Sequence, residues 1–205
     1  MDHSKKRRRL SRDELQAVTR QRLLEATRDL VAEHGIGGAS VRDIAEAAGY
    51  SQGAFYSNFQ RKEDILIELL RRHMADALAE LESLLQRAKE APQQALTTFE
   101  HWVRENSPDA VWSVIELELQ LHASRNAEFG REYDALNAAK RSALGHILQG
   151  VFALLGKSPP APPETVAASL LALAHGSAAM RGADGKDAAA EAVLLYLRSL
   201  IAAAG

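Results

Sequence analysis

The chain has 205 residues, of which 46% are hydrophobic and 25% charged, a composition typical of a soluble globular protein with one or two domains. It contains no cysteine, which excludes disulfides, thiolate nucleophiles and cysteine-ligated zinc. No apolar segment of a secretory signal follows the charged start, and the longest uncharged stretch, residues 165–180, falls short of the about 20 apolar residues that cross a bilayer. We therefore expect a cytoplasmic protein without a membrane segment.

The charge is distributed unevenly along the chain. The net charge is −2, but residues 1–62 hold 12 Lys and Arg against 8 Asp and Glu, whereas residues 63–205 hold 13 against 19. A basic first third before an acidic remainder indicates a module that faces a polyanion, joined to a module with another task.

Apolar residues recur at helical spacing along nearly the whole chain. No segment shows the alternation of a strand, and aromatic residues make up only 5% of the sequence. The sequence therefore predicts an all-α protein that begins with a disordered basic arm over residues 1–10. About nine helices are expected, over approximately residues 11–34, 40–48, 51–59, 62–88, 92–106, 109–124, 127–155, 164–180 and 186–203.

The first two helices carry clear start and stop signals. Ser11 and Glu14 have the spacing of a capping box, in which each side chain satisfies the other residue's backbone N–H. Gly35 is a natural end for the first helix, because glycine adopts the left-handed conformation of a helix cap. Ser40 and Asp43 repeat the capping pattern and start the second helix.

Residues 40–59 form the most informative segment of the chain. Gly49 separates two short helical patterns, and the small side chains of Ala45, Ala48 and Ala54 allow the two helices to approach closely. This pattern is typical of a helix-turn-helix, whose second helix lies in the major groove of DNA.

Over residues 20–70 the sequence resembles the TetR family of bacterial transcriptional regulators. The matching segments, in the family's order and spacing, are Leu23–Ala26, Leu30–Gly35, Val41–Gly49, Phe55–Phe59 and Lys62–Glu63. Asn58 departs from the family, in which histidine is common at this position, although its amide can also donate to phosphate or read a base edge. The resemblance implies a three-helix DNA-binding domain over residues 11–61, and a helical effector-binding and dimerisation domain over residues 62–205.

The resemblance also implies a set of DNA-contacting residues. They are Arg42, Ser51, Gln52, Gly53, Tyr56, Ser57, Asn58 and Lys62. Ser51, Tyr56 and Lys62 suit phosphate oxygens, whereas the amide of Gln52 suits adenine and Arg42 suits either guanine or phosphate. Two simpler interpretations stay open: Tyr56 as a half-buried core aromatic, and Gln52 as a solvated polar residue.

The run of cations Lys5–Arg9 allows two interpretations. Such a run is commonly a solvated, disordered tail, and it also suits an arm that follows the DNA backbone or enters a minor groove. Deletion of residues 1–9 separates the two, because removal of each phosphate contact reduces the slope of log affinity against log salt by about 0.9.

The last two predicted helices are apolar on more than one face. Each of them has a wide apolar arc, which includes Leu170 and Leu173 on the first and Leu194 and Leu197 on the second. Small residues such as Gly176 permit close packing. One face then meets the domain's own core and the other a second copy of the chain, as a four-helix bundle about a two-fold axis. The alternative is that both are core helices of a monomer.

Aromatic and apolar residues between the DNA-binding helices and these last helices are the candidate effector pocket. They are Trp102, Trp112, Ile115, Glu116, Leu119, Phe129, Tyr133, Phe152 and His175. Ligand pockets are largely apolar with a few polar groups, a role that Glu116, His122 and His175 suit here. Ordinary core filling is the competing interpretation for each apolar member.

The predicted function is sequence-specific DNA binding in transcriptional regulation. We expect a homodimeric repressor that binds a palindromic operator on double-stranded DNA, and a small, largely apolar effector that releases it by changing the angle of the fourth helix. A helical protein-interaction module without DNA binding is the alternative. An enzyme is not expected, because the Glu-x-x-His pairs of di-iron bundles, His-Glu-x-x-His and glycine-rich phosphate loops are missing; no metal or cofactor is predicted.

Overall fold

A computed structural model describes residues 11–105, 110–179 and 185–204 of the chain. Within these ranges it contains nine α-helices, one 3-10 turn at Pro92–Gln94, and no strand. The predicted all-α class is confirmed. In chain order the helices are α1 Arg12–Gly38, α2 Val41–Ala47, α3 Gln52–Tyr56, α4 Lys62–Glu90, α5 Ala95–Glu105, α6 Ala110–Arg125, α7 Ala127–Leu154, α8 Pro163–Ala179 and α9 Gly185–Ala203. The predicted basic arm, residues 1–10, lies outside the described residues.

Three helix boundaries differ from those expected. Gly35 breaks α1 with a φ of 70°, as predicted, but Ala39 N–H then donates to Gly35 O, so one more helical turn continues to Gly38. The helix expected to start at Pro92 begins instead with a 3-10 turn, and α5 follows it. α3 ends at Tyr56 and not at Phe59, because its last residues form a turn before α4.

The chain divides into two compact units, and the first extends to Leu69. It contains α1, α2, α3 and the start of α4, which is why it reaches past residue 61, where we expected the DNA-binding domain to end. α1 packs against α2, and α2 against α3. The core of this unit is made of fully buried side chains from all four helices, among them Leu23, Ile44, Phe55 and Ile65.

The second unit comprises residues 70–205. α7 packs against α6 and α8, and α9 packs against α5 and α8. Buried residues from α4, α5, α7, α8 and α9 form one apolar cluster, in which Leu81, Phe99, Leu148, Val166 and Leu194 take part. Among the helices of the described ranges, none combines the length and apolar content needed to cross a membrane.

Candidate nucleic-acid interface and core cavity

The start of α2 is fixed by the predicted capping box. The backbone N–H of Asp43 donates to Ser40 Oγ at 3.2 Å, and the Ser40 N–H donates to Asp43 Oδ2 at 3.2 Å. The Ser40 hydroxyl also donates to this carboxylate, and these hydrogen bonds lower the pKa of Asp43 below its ordinary value. Both orphan donors at the helix start are thereby satisfied, so α2 begins at a defined residue.

The turn between α2 and α3 depends on Gly49, whose φ is 79°. Its N–H donates to Glu46 O at 3.0 Å, and the N–H of Tyr50 donates to Ala45 O at 2.8 Å. These two hydrogen bonds form a Schellman motif. The motif needs a residue in the left-handed conformation, which glycine adopts without strain. The turn therefore aims α3 away from α2 at an angle set by backbone bonds.

One face of α3 is anchored in the core of the first unit. Phe55 is fully buried, and its ring lies 5.7 Å from the ring of Phe59, one helical turn later. Because this face points inward, Gln52 and Ser57 are exposed, and Tyr56 keeps 56% of its surface exposed. The helix thus presents polar side chains outward, as a recognition helix must.

The other predicted DNA-contacting residues differ in their exposure and in the contacts that they already make within the chain. Arg42 is exposed on α2, and its guanidinium lies 3.8 Å from the carboxylate of Glu46. Ser51 is exposed and its hydroxyl accepts the N–H of Ala54 at 3.3 Å, so it caps α3. Gly53 is exposed, and a Cβ built on it would meet only Ser51 Oγ at 3.6 Å. No packing contact within the described chain requires a glycine there.

Asn58 is partly buried and faces back along α3. Its amide nitrogen donates to Ala54 O at 2.8 Å, and its Oδ1 is buried without a hydrogen-bond partner among the described residues. The side chain therefore closes the end of α3, where the last carbonyls of a helix lack partners.

The ammonium of Lys62 is already engaged within the first unit. Nζ donates to Ile36 O at 2.8 Å and to Ala39 O at 3.2 Å, in the turn that joins α1 to α2. These bonds tie the start of α4 to that turn. They favour a positioning role over the phosphate contact that we expected of Lys62.

Arg20 is a positioning residue that the sequence did not single out. Its Nη1 donates to Asn58 O at 2.8 Å, and its guanidinium carbon lies 4.1 Å from the centre of the Phe59 ring. Its Nε is also 3.6 Å from the carboxylate of Glu68 on α4. Arg20 thus joins α1, the end of α3 and α4. Residues 38 positions apart meet here, a separation that no local pattern reveals.

A cavity of about 430 Å³ lies in the second unit. Of the nine residues expected to form an effector pocket, Trp102, Trp112, Glu116 and His175 line it. The other five do not line this cavity. Ile115, Leu119, Phe129 and Phe152 are buried core residues, as the competing interpretation held, and Tyr133 stacks on Phe129 at 6.2 Å.

The polar wall of the cavity is a cluster of three charged or titratable side chains. Glu116 Oε1 lies 2.9 Å from Lys140 Nζ, and Glu116 Oε2 is in hydrogen-bond contact with His175 Nε2. Burial alone would raise the pKa of Glu116, but the hydrogen bond from His175 and the charge of Lys140 outweigh it and lower the pKa to about 2. The carboxylate is therefore ionised throughout the neutral range.

His73 and Lys140 are cavity residues that the sequence did not identify. His73, on α4, stacks its ring on Trp112 at 3.7 Å with the planes only 10° apart. Its spacing from Ile65, Leu66 and Leu69 is that of the apolar stripe of a helix, so the sequence pattern is that of a core position. Lys140 lies in a mostly polar stretch of α7. Its sequence neighbours did not indicate a role in a binding site, because its partner Glu116 is on another helix.

These features define a helix-turn-helix protein with a second, helical unit that encloses a cavity. Residues 23–69 match the family model described as bacterial regulatory proteins, tetR family. The helix-turn-helix unit is thus similar to the TetR family, and the resemblance predicted from the sequence is confirmed over these residues.

Curated relatives are similar over about a third of the chain or less. The HTH-type transcriptional repressor AcnR of Corynebacterium diphtheriae is 40% identical over 67 residues, which are 31% of this chain and 35% of that protein. The HTH-type transcriptional repressor KstR2 of Rhodococcus jostii is 42% identical over 57 residues, 28% of each. The chain thus matches only about a third of the length of these relatives.

Solved structures are similar over nearly the whole chain. A structure described as a putative TetR-family transcriptional regulator from Mesorhizobium loti has a TM-score of 0.74 at 16% identity and covers 96% of this chain and all of that one. Another from Rhodococcus sp. has a TM-score of 0.73 at 21% identity and covers 90% of this chain and 99% of that one. At such identities the likeness establishes the fold of both units.

Proposed function

We propose that this chain is a transcriptional repressor that binds operator DNA through α3. The observation that carries the proposal is the amphipathic geometry of that helix. Phe55 and Phe59 hold one face in the core, so Gln52, Tyr56 and Ser57 project from the other. The match of residues 23–69 to a family of bacterial regulatory proteins supports the same function.

The proposed contacts divide into phosphate and base contacts. Ser51 and Tyr56 carry exposed hydroxyls at the two ends of α3 and bind phosphate oxygens, which sets the register of the protein on DNA. Gln52 reads adenine in the major groove, and Arg42 binds guanine or phosphate. Gly53 lets the α3 backbone approach the DNA, with no side chain in the way.

The repressor acts as a dimer through α8 and α9. In the single chain Leu195 on α9 leaves 69% of its surface exposed, although it lies in an apolar helix. A four-helix bundle about a two-fold axis covers such a residue in both copies. Two copies present two α3 helices, which matches a palindromic operator with half-sites about 34–36 Å apart.

An effector that binds the cavity releases the repressor by shifting α4. One end of this helix holds Lys62 and Glu68, which bond to residues of the first unit, and the next turns hold His73, Met74 and Leu81, which line the cavity. Such coupling between two sites typically amounts to about 1–3 kcal/mol.

The test is binding-site selection on random duplex DNA with the purified full chain at low salt. We expect a palindrome whose half-sites are one helical turn, or a multiple of it, apart. An enriched single half-site would contradict the dimer and leave DNA binding in place. Enrichment of no sequence, together with no salt-dependent binding, would contradict the function and favour the helical interaction module.

A further inference from the structure

The acid in the cavity wall is already engaged by two donors of the chain. Both oxygens of Glu116 already accept hydrogen bonds, one from Lys140 and one from His175, and only 11% of its side chain is exposed. Its negative charge is balanced by the ammonium beside it. A cationic ligand that approached this carboxylate would lie beside the Lys140 ammonium, whose like charge repels it.

Lys140, in contrast, has hydrogen-bonding capacity to spare. An ammonium has three donors, and among the described residues only Glu116 accepts one of them. The side chain is only 15% exposed and lines the cavity. The remaining donors of the ammonium are therefore available to an acceptor on a molecule bound in the cavity.

The other residues that line the cavity indicate the chemical character of the main part of the ligand. Apolar and aromatic side chains from α4 to α9, such as Leu81, Trp102 and Leu148, make up most of it. Asp76, Glu80 and Glu105 also line it and are exposed, so the approach carries negative charge. These carboxylates disfavour an anionic ligand, even though Lys140 alone would attract one.

We infer that the cavity binds an uncharged, largely apolar molecule whose carbonyl-type oxygen accepts a hydrogen bond from Lys140. This inference rests on the proposed function only in treating the molecule as the effector. The binding itself is a property of the second unit. It is therefore measured on the free protein, without DNA, so that its failure and a failure of DNA binding are separate results.

The intrinsic fluorescence of the protein supplies the readout. The chain has two tryptophans, Trp102 and Trp112, and both line the cavity. Four probes of one shape differ only in the polar group: 4-tert-butylcyclohexanone, 4-tert-butylcyclohexanecarboxylate, 4-tert-butylcyclohexylammonium and tert-butylcyclohexane. The ketone has a weak n→π* band where tryptophan is excited, so emission is corrected for probe absorbance and the affinities are measured independently by calorimetry.

The ketone is expected to bind more tightly than the hydrocarbon by about 10- to 100-fold, the usual effect of a hydrogen bond to a charged group. The carboxylate and the ammonium are expected to bind more weakly than the ketone. Tightest binding by either charged probe, equal binding of ketone and hydrocarbon, or no binding of the ketone would overturn the inference.

Substitution of Lys140 tests the assigned donor. In Lys140→Met the ketone is expected to lose its advantage over the hydrocarbon, while the affinity for the hydrocarbon is kept. Because that variant leaves Glu116 with His175 alone and can fold poorly, the double variant Glu116→Gln/Lys140→Met is measured beside it. If the ketone still binds more tightly than the hydrocarbon in either folded variant, the role of Lys140 is overturned. The class of ligand is decided separately, by the four-probe series on the unmodified chain.

Discussion

Arg20 Nη1 donates a 2.8 Å hydrogen bond to the backbone carbonyl of Asn58. The bond joins α1 to the turn just after α3, where the carbonyls that follow a short helix lack partners of their own. The same guanidinium lies over the ring of Phe59 and near the carboxylate of Glu68. The orientation of α3 thus depends on a side chain that belongs to another helix.

Arg20→Ala is expected to lower the free energy of unfolding by about 2 kcal/mol, because the change removes a hydrogen bond from a charged donor and leaves a carbonyl without its partner. DNA affinity is expected to fall as well, since α3 loses its anchor. Urea unfolding and titration with operator DNA measure the two effects. Arg22→Ala, which removes an exposed arginine from the same helix, is the control. Equal stability of the two variants would contradict the role of Arg20.

Gly53→Ala separates DNA contact from folding. The new methyl group would meet only Ser51 Oγ at 3.6 Å, an ordinary contact, and alanine favours a helix over glycine by about 1 kcal/mol. We therefore expect unchanged or higher thermal stability together with a clear loss of operator affinity, because the methyl group stands between α3 and the DNA. Gly37→Ala, whose new methyl group would enter open space, serves as the control. Unchanged DNA affinity of Gly53→Ala would show that no close approach occurs there.

Substitutions of Lys62 and Arg42 are expected to differ in their effect on the salt dependence of DNA binding. Arg42→Met removes a cation from a side chain that is 73% exposed, so the slope of log affinity against log salt should fall by about 0.9. Lys62→Met removes an ammonium bound to two carbonyls, so thermal stability should fall while the salt slope stays unchanged. Affinities at four salt concentrations test both variants. A smaller slope for Lys62→Met would restore it as a phosphate contact.

Glu116 makes the stability of the protein depend on pH in the acid range. Its pKa is about 2 in the folded chain against an ordinary value of 4.5, so the ionised carboxylate adds about 3 kcal/mol of stability above pH 5. This contribution is lost as the pH falls from about 5 to about 2. Glu116→Gln should therefore be less stable than the unmodified chain at pH 7, with the difference shrinking towards pH 2. Denaturant unfolding across this range measures it, and a constant difference would contradict the prediction. Gln120→Ala, an exposed change on the same helix, is the control.

Leu195→Glu is expected to convert the proposed dimer into monomers, because it places two charges in the interface that α8 and α9 would form. Light scattering after size-exclusion chromatography gives the mass. Leu121→Glu, at an exposed leucine on α6, is the matched control and should leave the dimer intact. If only the α6 variant dissociated the dimer, the result would contradict the proposed interface and indicate one that includes α6.

Much of the helix-turn-helix could be predicted because its signals are local. Ser40 and Asp43 are three residues apart, and Gly49 meets a conformational demand that belongs to its own backbone. The exposed face of α3 follows from the one-turn spacing of Phe55 and Phe59. For the cavity, the sequence marked aromatic and polar residues as a group but did not separate Trp112, which lines it, from Phe129, which fills the core.

The sequence by itself determined the helical class, the caps and turn of the DNA-binding motif, and its family, because each depends on residues within a few positions of one another. Only the tertiary structure decided that Arg20 holds Asn58, that Lys62 bonds to the turn after α1, and that Glu116 is shared between Lys140 and His175. Each of these contacts joins charged side chains to partners on distant elements. Their partners are chosen by the packing of helices against one another, which the spacing of residues along the chain does not record.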